Sequence, residues 1–467
     1  MAQSLSLFAA QVQFLNDRLA LIHIPLNLYP FFLQPILQLI FHDIPPIEDI
    51  DTEDIDVQDL NISEPTQPAF LNISITPVEC SVVCSRELAE HYFRPLAEKF
   101  NNTEPSRTNH VSISKEDFIV MQVEGQGLDA GQRVLELTSP LAMAGVSIFF
   151  ISTYFSDYIL VPRRSRGHVT QALENRGFTF EVSSDAFVTS SSNPQYRSSP
   201  PSLDAQRSPP ITPPPSTLSE LQTRTFASLR KHNIHARVDK SLRIVHCAAQ
   251  YSSSNPCSSS TILRPSLVTA LILDNPRFLS LTLTATDPAA SILLEKRLLP
   301  RFSHTTDDHF LPNDSNSNLL LGSKDDILIP IMLDLRDLPL EATGIVCGVA
   351  SRLAAATQSR DATNSSESEN EPEHENENDD VSSIELSTKG GGGGGSSKHR
   401  TASELLKQQY DRLPADPDSA YTHAVDISFL STARAGTVIV GERELERAMA
   451  SLELESRDSS RLEGEGV

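Results

Sequence analysis

Apolar and polar positions alternate with a two-residue period in several short stretches, and the clearest of them occurs twice. Residues 145–161, GVSIFFISTYFSDYILV, and residues 424–440, AVDISFLSTARAGTVIV, superpose without a gap. Val146 falls on Val425, Ile148 on Ile427, Phe150 on Phe429 and Thr153 on Thr432. Alternating β-branched and aromatic residues around a short polar turn predict a β-hairpin. Two copies far apart in one chain predict a duplicated unit.

The rest of the chain follows the same grammar. Strands are predicted at residues 19–24, 71–76 and 79–84, and helices at 33–41 and 85–100, the second capped by Ser85. Residues 242–247, 263–267, 279–284 and 289–302 repeat that order, and the repeat sets His246 at the place of His23. The runs LNISIT (71–76) and LSLTLT (279–284) read as half-buried strands. Residues 114–182 predict a strand, a helix at 131–144, the first hairpin, a helix at 166–177 ended by Gly177, and an edge strand at 178–182. A fourth stretch opens at residue 323 and continues into a helix at 344–356, whose Leu353-Ala-Ala repeats Leu141-Ala-Met. After the second hairpin comes a helix at 442–452.

Strand, helix, strand, strand, helix, strand is the order of a ferredoxin-like sandwich. The expected fold is therefore α+β, four βαββαβ domains in two tandem pairs, at residues 14–101, 112–183, 236–303 and 322–455. Residues 184–222 are Ser/Pro-rich and predicted to be a disordered linker, with Pro-directed phosphorylation sites at Ser199, Ser208 and Thr212. Residues 358–422 form an acidic, then glycine-rich insertion in the fourth domain, also predicted to be disordered. It contains one short helix behind a Thr401/Glu404 capping box. Loop entropy makes such an insertion cost only about 1–3 kcal/mol.

Composition narrows the function. The net charge of -23 over 467 residues argues against nucleic acid as a partner. The five cysteines are odd in number and lack zinc-like pairing, which predicts buried thiols in a reducing, cytoplasmic setting. No secretory signal is expected. Residues 19–41 are long and apolar enough to span a membrane, but Pro25, Pro30 and Pro35 would break such a helix. A buried strand and a short helix are expected there, with no membrane insertion and no glycan at Asn61 or Asn72. No Walker loop, GxSxG or HExxH occurs, so neither an enzyme nor a cofactor nor a metal site is expected. His23 and His246 read as packed strand residues, and Arg163-Arg164 as solvated surface.

Paired βαββαβ modules bring helix N-termini and hairpin turns to a common seam. Free backbone N–H groups there suit a carboxylate, and a carbonyl with a Ser or Thr hydroxyl suits an ammonium group. That is the outline of an α-amino acid site, with Gly344, Ile345 and Val346 on one side and Ser147 and Ile148 on the other. The hairpin, LELTSPLAMAG at 135–145 and GIVCGVASRLAAA at 344–356 resemble the CASTOR (GATS-like) family of cytosolic arginine sensors. The resemblance implies four ACT domains in two tandem pairs and a non-enzymatic sensor in target-of-rapamycin (TORC) signalling. It implies ligand contacts at Ser147, Ile148, Gly344, Ile345, Val346 and Thr432, and contacts with a GATOR/SEA-type complex at Tyr154 and Asp157. It leaves a homodimer open. Two acidic positions of the family fall on Gly436 and Ala342 here, with Glu341 one step away. A buried guanidinium without a carboxylate costs several kcal/mol. A neutral or smaller amino acid, or no ligand, is therefore expected in place of arginine. Two other readings compete: a ligand-free ACT scaffold that docks partners through its disordered segments, and an allosteric regulator of amino-acid biosynthesis.

Overall fold

The computed structural model describes residues 10–41, 69–103, 110–125, 130–180, 215–250, 260–287, 289–302, 320–364 and 427–462. By their contacts, residues 1–356 and 424–467 form one unit and residues 357–423 a second. Of the second, only residues 357–364 are described, as the end of a helix.

Most predicted elements form. The chain opens with β1 (Ala10–Ile24), a 3₁₀ turn and α1 (Leu33–Phe41), then β2 (Phe70–Ile75) and β3 (Cys80–Ser85). Ser85 caps the next helix as expected, its Oγ accepting from the Leu88 N–H at 3.3 Å. That helix runs as α2 (Arg86–Leu88), a π turn and α3 (Arg94–Thr103). β4 (Ser112–Ile113), β5 (Phe118–Gly125) and α4 (Ala130–Met143) lead into the first hairpin, β6 (Phe149–Ser152) and β7 (Asp157–Pro162). α5 (Arg166–Glu174) and β8 (Thr179–Phe180) follow. After them come α6 (Leu218–Lys231), β9 (Arg237–Val238), β10 (Ile244–Gln250), α7 (Ser260–Ile272), β11 (Leu279–Thr284) and β12 (Ala289–Glu295). The chain ends with β13 (Leu320–Leu321), β14 (Leu328–Asp334), α8 (Ile345–Asn364), the second hairpin β15 (Ile427–Ser431) and β16 (Ala435–Gly441), and α9 (Leu445–Leu462).

The strands do not divide into four ferredoxin-like sandwiches. They close into one ring of antiparallel strands, β10-β12-β11-β2-β3-β1-β5-β7-β6-β15-β16-β14, which returns to β10. This twelve-stranded barrel replaces the expected set of four α+β domains. Each predicted stretch supplies three neighbouring strands, yet none completes a sheet of its own. Two joints are thin: Leu430 opposite Ile151 links β15 to β6, and Ile244 opposite Leu328 links β14 to β10. The other two are long, with six pairs between β11 and β2 and a run from Ala10 to Leu15 between β1 and β5. The expected edge strand is β8, which pairs in parallel with β1.

Ring closure explains why the alternating strands are not half-exposed. All six residues of β2 and of β11 are buried. Their odd positions, Leu71, Ile73, Leu279 and Leu281, pack outward under α1, α3 and α7. Their polar positions point inward and satisfy one another: Asn72 Nδ2 donates to Thr282 Oγ1 at 3.0 Å, and the Ser74 and Ser280 hydroxyls lie 2.9 Å apart. A second outer layer packs α4, α5, α6, α8 and α9 against β5, β7, β14, β15 and β16. The interior holds a third cluster built from strand and turn residues, among them Leu19, Phe118, Ile151, Tyr158, Phe278 and Ile439. Non-adjacent strands of the ring touch there, since the Phe70 and Tyr158 rings are 5.2 Å apart with three strands between β2 and β7.

Register also separates the two histidines. His23 pairs with Ser81 and Ala248 with Ser291. Ser81 and Ser291 correspond, because Ser74 pairs with Ser81 and its counterpart Thr282 pairs with Ser291. His246 therefore sits two residues away from the place of His23.

The stretch expected as linker up to residue 222 turns helical at Leu218. α6 begins behind a Thr217/Glu220 cap, with the Glu220 N–H donating to Thr217 Oγ1 at 3.1 Å. The helix expected at 344–356 continues to Asn364, into the stretch assigned to the insertion. Residues 365–422 and the Thr401/Glu404 box lie outside the described residues, as do Ser199, Ser208 and Thr212. No described helix is long and apolar enough to cross a membrane. Cys80, Cys84, Cys247 and Cys347 are buried free thiols.

Candidate functional site

A small cleft opens where the two hairpins meet α8. Gly344 precedes the helix with a φ of +78°, a conformation that favours glycine. It also lies under α6, where an added Cβ would come within 2.8 Å of the Leu221 side chain. The positive φ favours glycine at this corner, and a larger residue would also have to displace the end of the Leu221 side chain. Gly348, one turn on, faces Thr225 in the same way, with atoms at 2.7 Å from an added Cβ. The tight α6–α8 contact fixes where the first turn of α8 points.

That turn, Gly344 to Cys347, forms one wall of the cleft. Leu335, Leu338 and Leu340 of the β14–α8 loop form the second, and Ser431 to Ala433 with Gly436 the third. Ala142, Val146, Ile148 and Phe149 of the first half close the fourth side. The cleft encloses about 60 Å³, room for a few water-sized spheres and far less than the roughly 300–1,000 Å³ of drug-sized ligand sites. None of its lining residues is charged. The first N–H groups of α8 have no partner within the helix, and with the helix dipole they form an anion-favouring end.

Five of the expected ligand contacts line this cleft together: Ile148, Gly344, Ile345, Val346 and Thr432. Ser147 is half-buried beside Ile148 and is not among the lining residues. Thr432 does not offer its hydroxyl freely, because that group donates to Glu79 Oε1 at 2.5 Å and accepts from the Ala435 N–H at 3.2 Å. Ser431, half-buried in the cleft wall, is the hydroxyl better placed for an ammonium group. Gly436 and Ala342, the two positions read as missing carboxylates, both line the cleft.

Of the two residues expected at a partner surface, Tyr154 is half-buried and Asp157 is buried. Asp157 is 2% exposed, and its Oδ2 accepts from Arg133 Nε at 2.6 Å. The Tyr154 N–H donates to Ser291 Oγ at 2.9 Å, and its ring stands edge-on to His246 at 5.5 Å. The β6–β7 turn is therefore tucked against the third stretch of the chain. Burial lowers the pKa of His246 to about 4, so its ring is neutral at pH 7. Burial raises Cys347 to about 11, so the one thiol of the cleft is protonated. Among the described residues, no group of three or more His, Cys, Asp or Glu could hold a metal ion.

The sequence reading missed the β14–α8 loop. Its signal was present as Leu335, Leu338 and Leu340, too many apolar residues for a solvated connection. It also missed a larger cavity of about 400 Å³ outside the ring, between Phe226, Leu229, Ile234, Leu333, Val349 and Leu452.

Residues 113–175 match the ACT domain family. No curated protein matches the chain. Among solved structures, protein Atu0741 from Agobacterium tumefaciens is similar at 18% identity and a TM-score of 0.22, covering 37% of this chain and 92% of its own. Aspartate kinase from Synechocystis is similar at 10% identity and a TM-score of 0.27. That likeness spans 95% of this chain but only 55% of the kinase. At such scores neither establishes a fold for the whole chain. The ACT match suggests a regulatory, amino-acid-binding role for the region around the first hairpin.

Proposed function

We propose that the chain is a non-enzymatic regulatory protein that binds one small, neutral amino acid in the cleft between α8 and the two hairpins. The observation that carries this reading is the lining itself: an uncharged, apolar enclosure with a helix N-terminus on one side and a serine on another. The carboxylate would face the amides of Ile345 and Val346, the ammonium group Ser431 and nearby carbonyls, and the side chain Leu335, Leu338 and Ile148. A guanidinium would find no carboxylate among the lining residues, so arginine is disfavoured. Binding would favour one arrangement of the two hairpins and so shift populations.

By its resemblance to CASTOR sensors, we place this switch in the cytoplasm, upstream of target-of-rapamycin signalling through a GATOR/SEA-type complex. Asp157 is buried, so such a partner would meet the half-buried Tyr154 and its neighbours in the turn before Asp157. Native mass spectrometry of the full chain purified from host cells tests the reading. The expected result is a retained mass matching an amino acid, lost in Gly436→Leu, which fills the cleft. Chain mass alone in both proteins, with no amino acid shifting the melting temperature, contradicts it.

A further inference from the structure

One carboxylate inside the barrel is tied to the cleft from the opposite half of the chain. Glu79 lies in the turn between β2 and β3 and is 0% exposed. Its Oε2 is 2.5 Å from His23 Nδ1, and its Oε1 accepts from the Thr432 hydroxyl at 2.5 Å and from the Arg434 N–H. Two residues on, Ser81 Oγ accepts from the Ala433 N–H at 3.3 Å. Three consecutive residues of the β15–β16 turn are thus held by side chains more than 350 positions away. Two of them, Thr432 and Ala433, line the cleft. Arg434 reaches back to the other wall, donating from Nη1 to the carbonyl of Leu338 at 3.3 Å.

A buried carboxylate is costly unless its oxygens are hydrogen-bonded. Glu79 obtains two of its three contacts from the turn, so the turn cannot shift without exposing the carboxylate's need for partners. The coupling runs both ways: whatever presses on Thr432 and Ala433 from the cleft works against the Glu79 bonds.

We infer that Glu79 is a positioning residue for the cleft, setting the wall formed by Thr432 and Ala433 and thereby the affinity of the site. The inference rests on the proposed amino-acid site for its consequence, though not for the latch itself. It is tested with the full-length protein and three variants, Glu79→Gln, Glu79→Ala and Thr432→Val, with amide hydrogen exchange at residues 433–435 and titration with each of the twenty proteinogenic amino acids. Glu79→Ala is expected to speed exchange at least tenfold and to weaken the amino acid that binds wild type at least tenfold. Glu79→Gln, which keeps an acceptor for Thr432, stays within about threefold on both. In the Thr432→Val background the effect of Glu79→Ala on affinity shrinks below threefold. Unchanged exchange in Glu79→Ala overturns the latch. Faster exchange with unchanged affinity overturns the positioning role. If wild type binds none of the twenty while exchange responds as expected, the amino-acid site fails and the positioning role fails with it, but the latch stands.

Discussion

The two hairpins meet across one backbone pair, Leu430 with Ile151, and the Phe429 N–H donates to Ser152 Oγ at 3.1 Å beside it. Their turns, however, are furnished differently. In the first hairpin the position after the turn is Asp157, bonded to Arg133 on α4. In the second the matching position is Gly436, and the residue of α8 matching Arg133 is Ile345. One corner is closed by the chain's own ion pair and the other is left as an uncharged cleft. A duplicated framework therefore gives two corners of one geometry, and two residues decide which of them has room for a ligand.

Removing the closure of the first corner has the largest expected effect. Arg133→Ala removes the guanidinium bonded to Asp157 and should cost about 3 kcal/mol by urea denaturation, the lower end of the range for a broken buried pair. The guanidinium is 27% exposed, which is why the upper part does not apply. Crowding the α6–α8 contact behind the second corner comes next. Gly348→Ala drives a methyl group into Thr225 and should cost about 1–3 kcal/mol in the same assay.

The histidines sharpen the comparison by pH. The pKa of His246 is about 4 in the folded chain against an ordinary 6.5, so only the unfolded chain takes up the proton between those values. Stability then falls as pH drops from 6.5 towards 4. Between pH 7 and 4.5, wild type should lose about 2 kcal/mol more than His246→Gln. The smallest effect is expected from Tyr158→Phe, which removes the hydroxyl donated to Asp287 Oδ2 at 2.8 Å and should cost about 1 kcal/mol.

Much of this was legible where the code is local. The two hairpins, the Ser85 cap and the helix at Gly344 follow from periodicity and capping within a few residues. Ring closure was not, because it depends on single pairs such as Ile244 with Leu328, which no local pattern records. For the same reason Asn72, Ser74, Ser280 and Thr282 read as solvent-facing, whereas their water is replaced by one another across the β2–β11 joint. α6 was readable from its Thr217/Glu220 cap but was hidden by the Ser/Pro-rich run before it. In the site, Ile148, Gly344, Ile345, Val346 and Thr432 line one cleft. The hold of Glu79 on Thr432 could not be read, since it joins residues 353 positions apart.

The most direct test is calorimetric titration of the full chain with the neutral amino acids, beside the double variant Ile345→Arg with Gly436→Asp. The variant rebuilds the ion pair of the first corner inside the second. One bound amino acid per wild-type chain, and none in a folded double variant, is the predicted result. No heat from wild type with any amino acid, or equal binding by both proteins, would contradict the account.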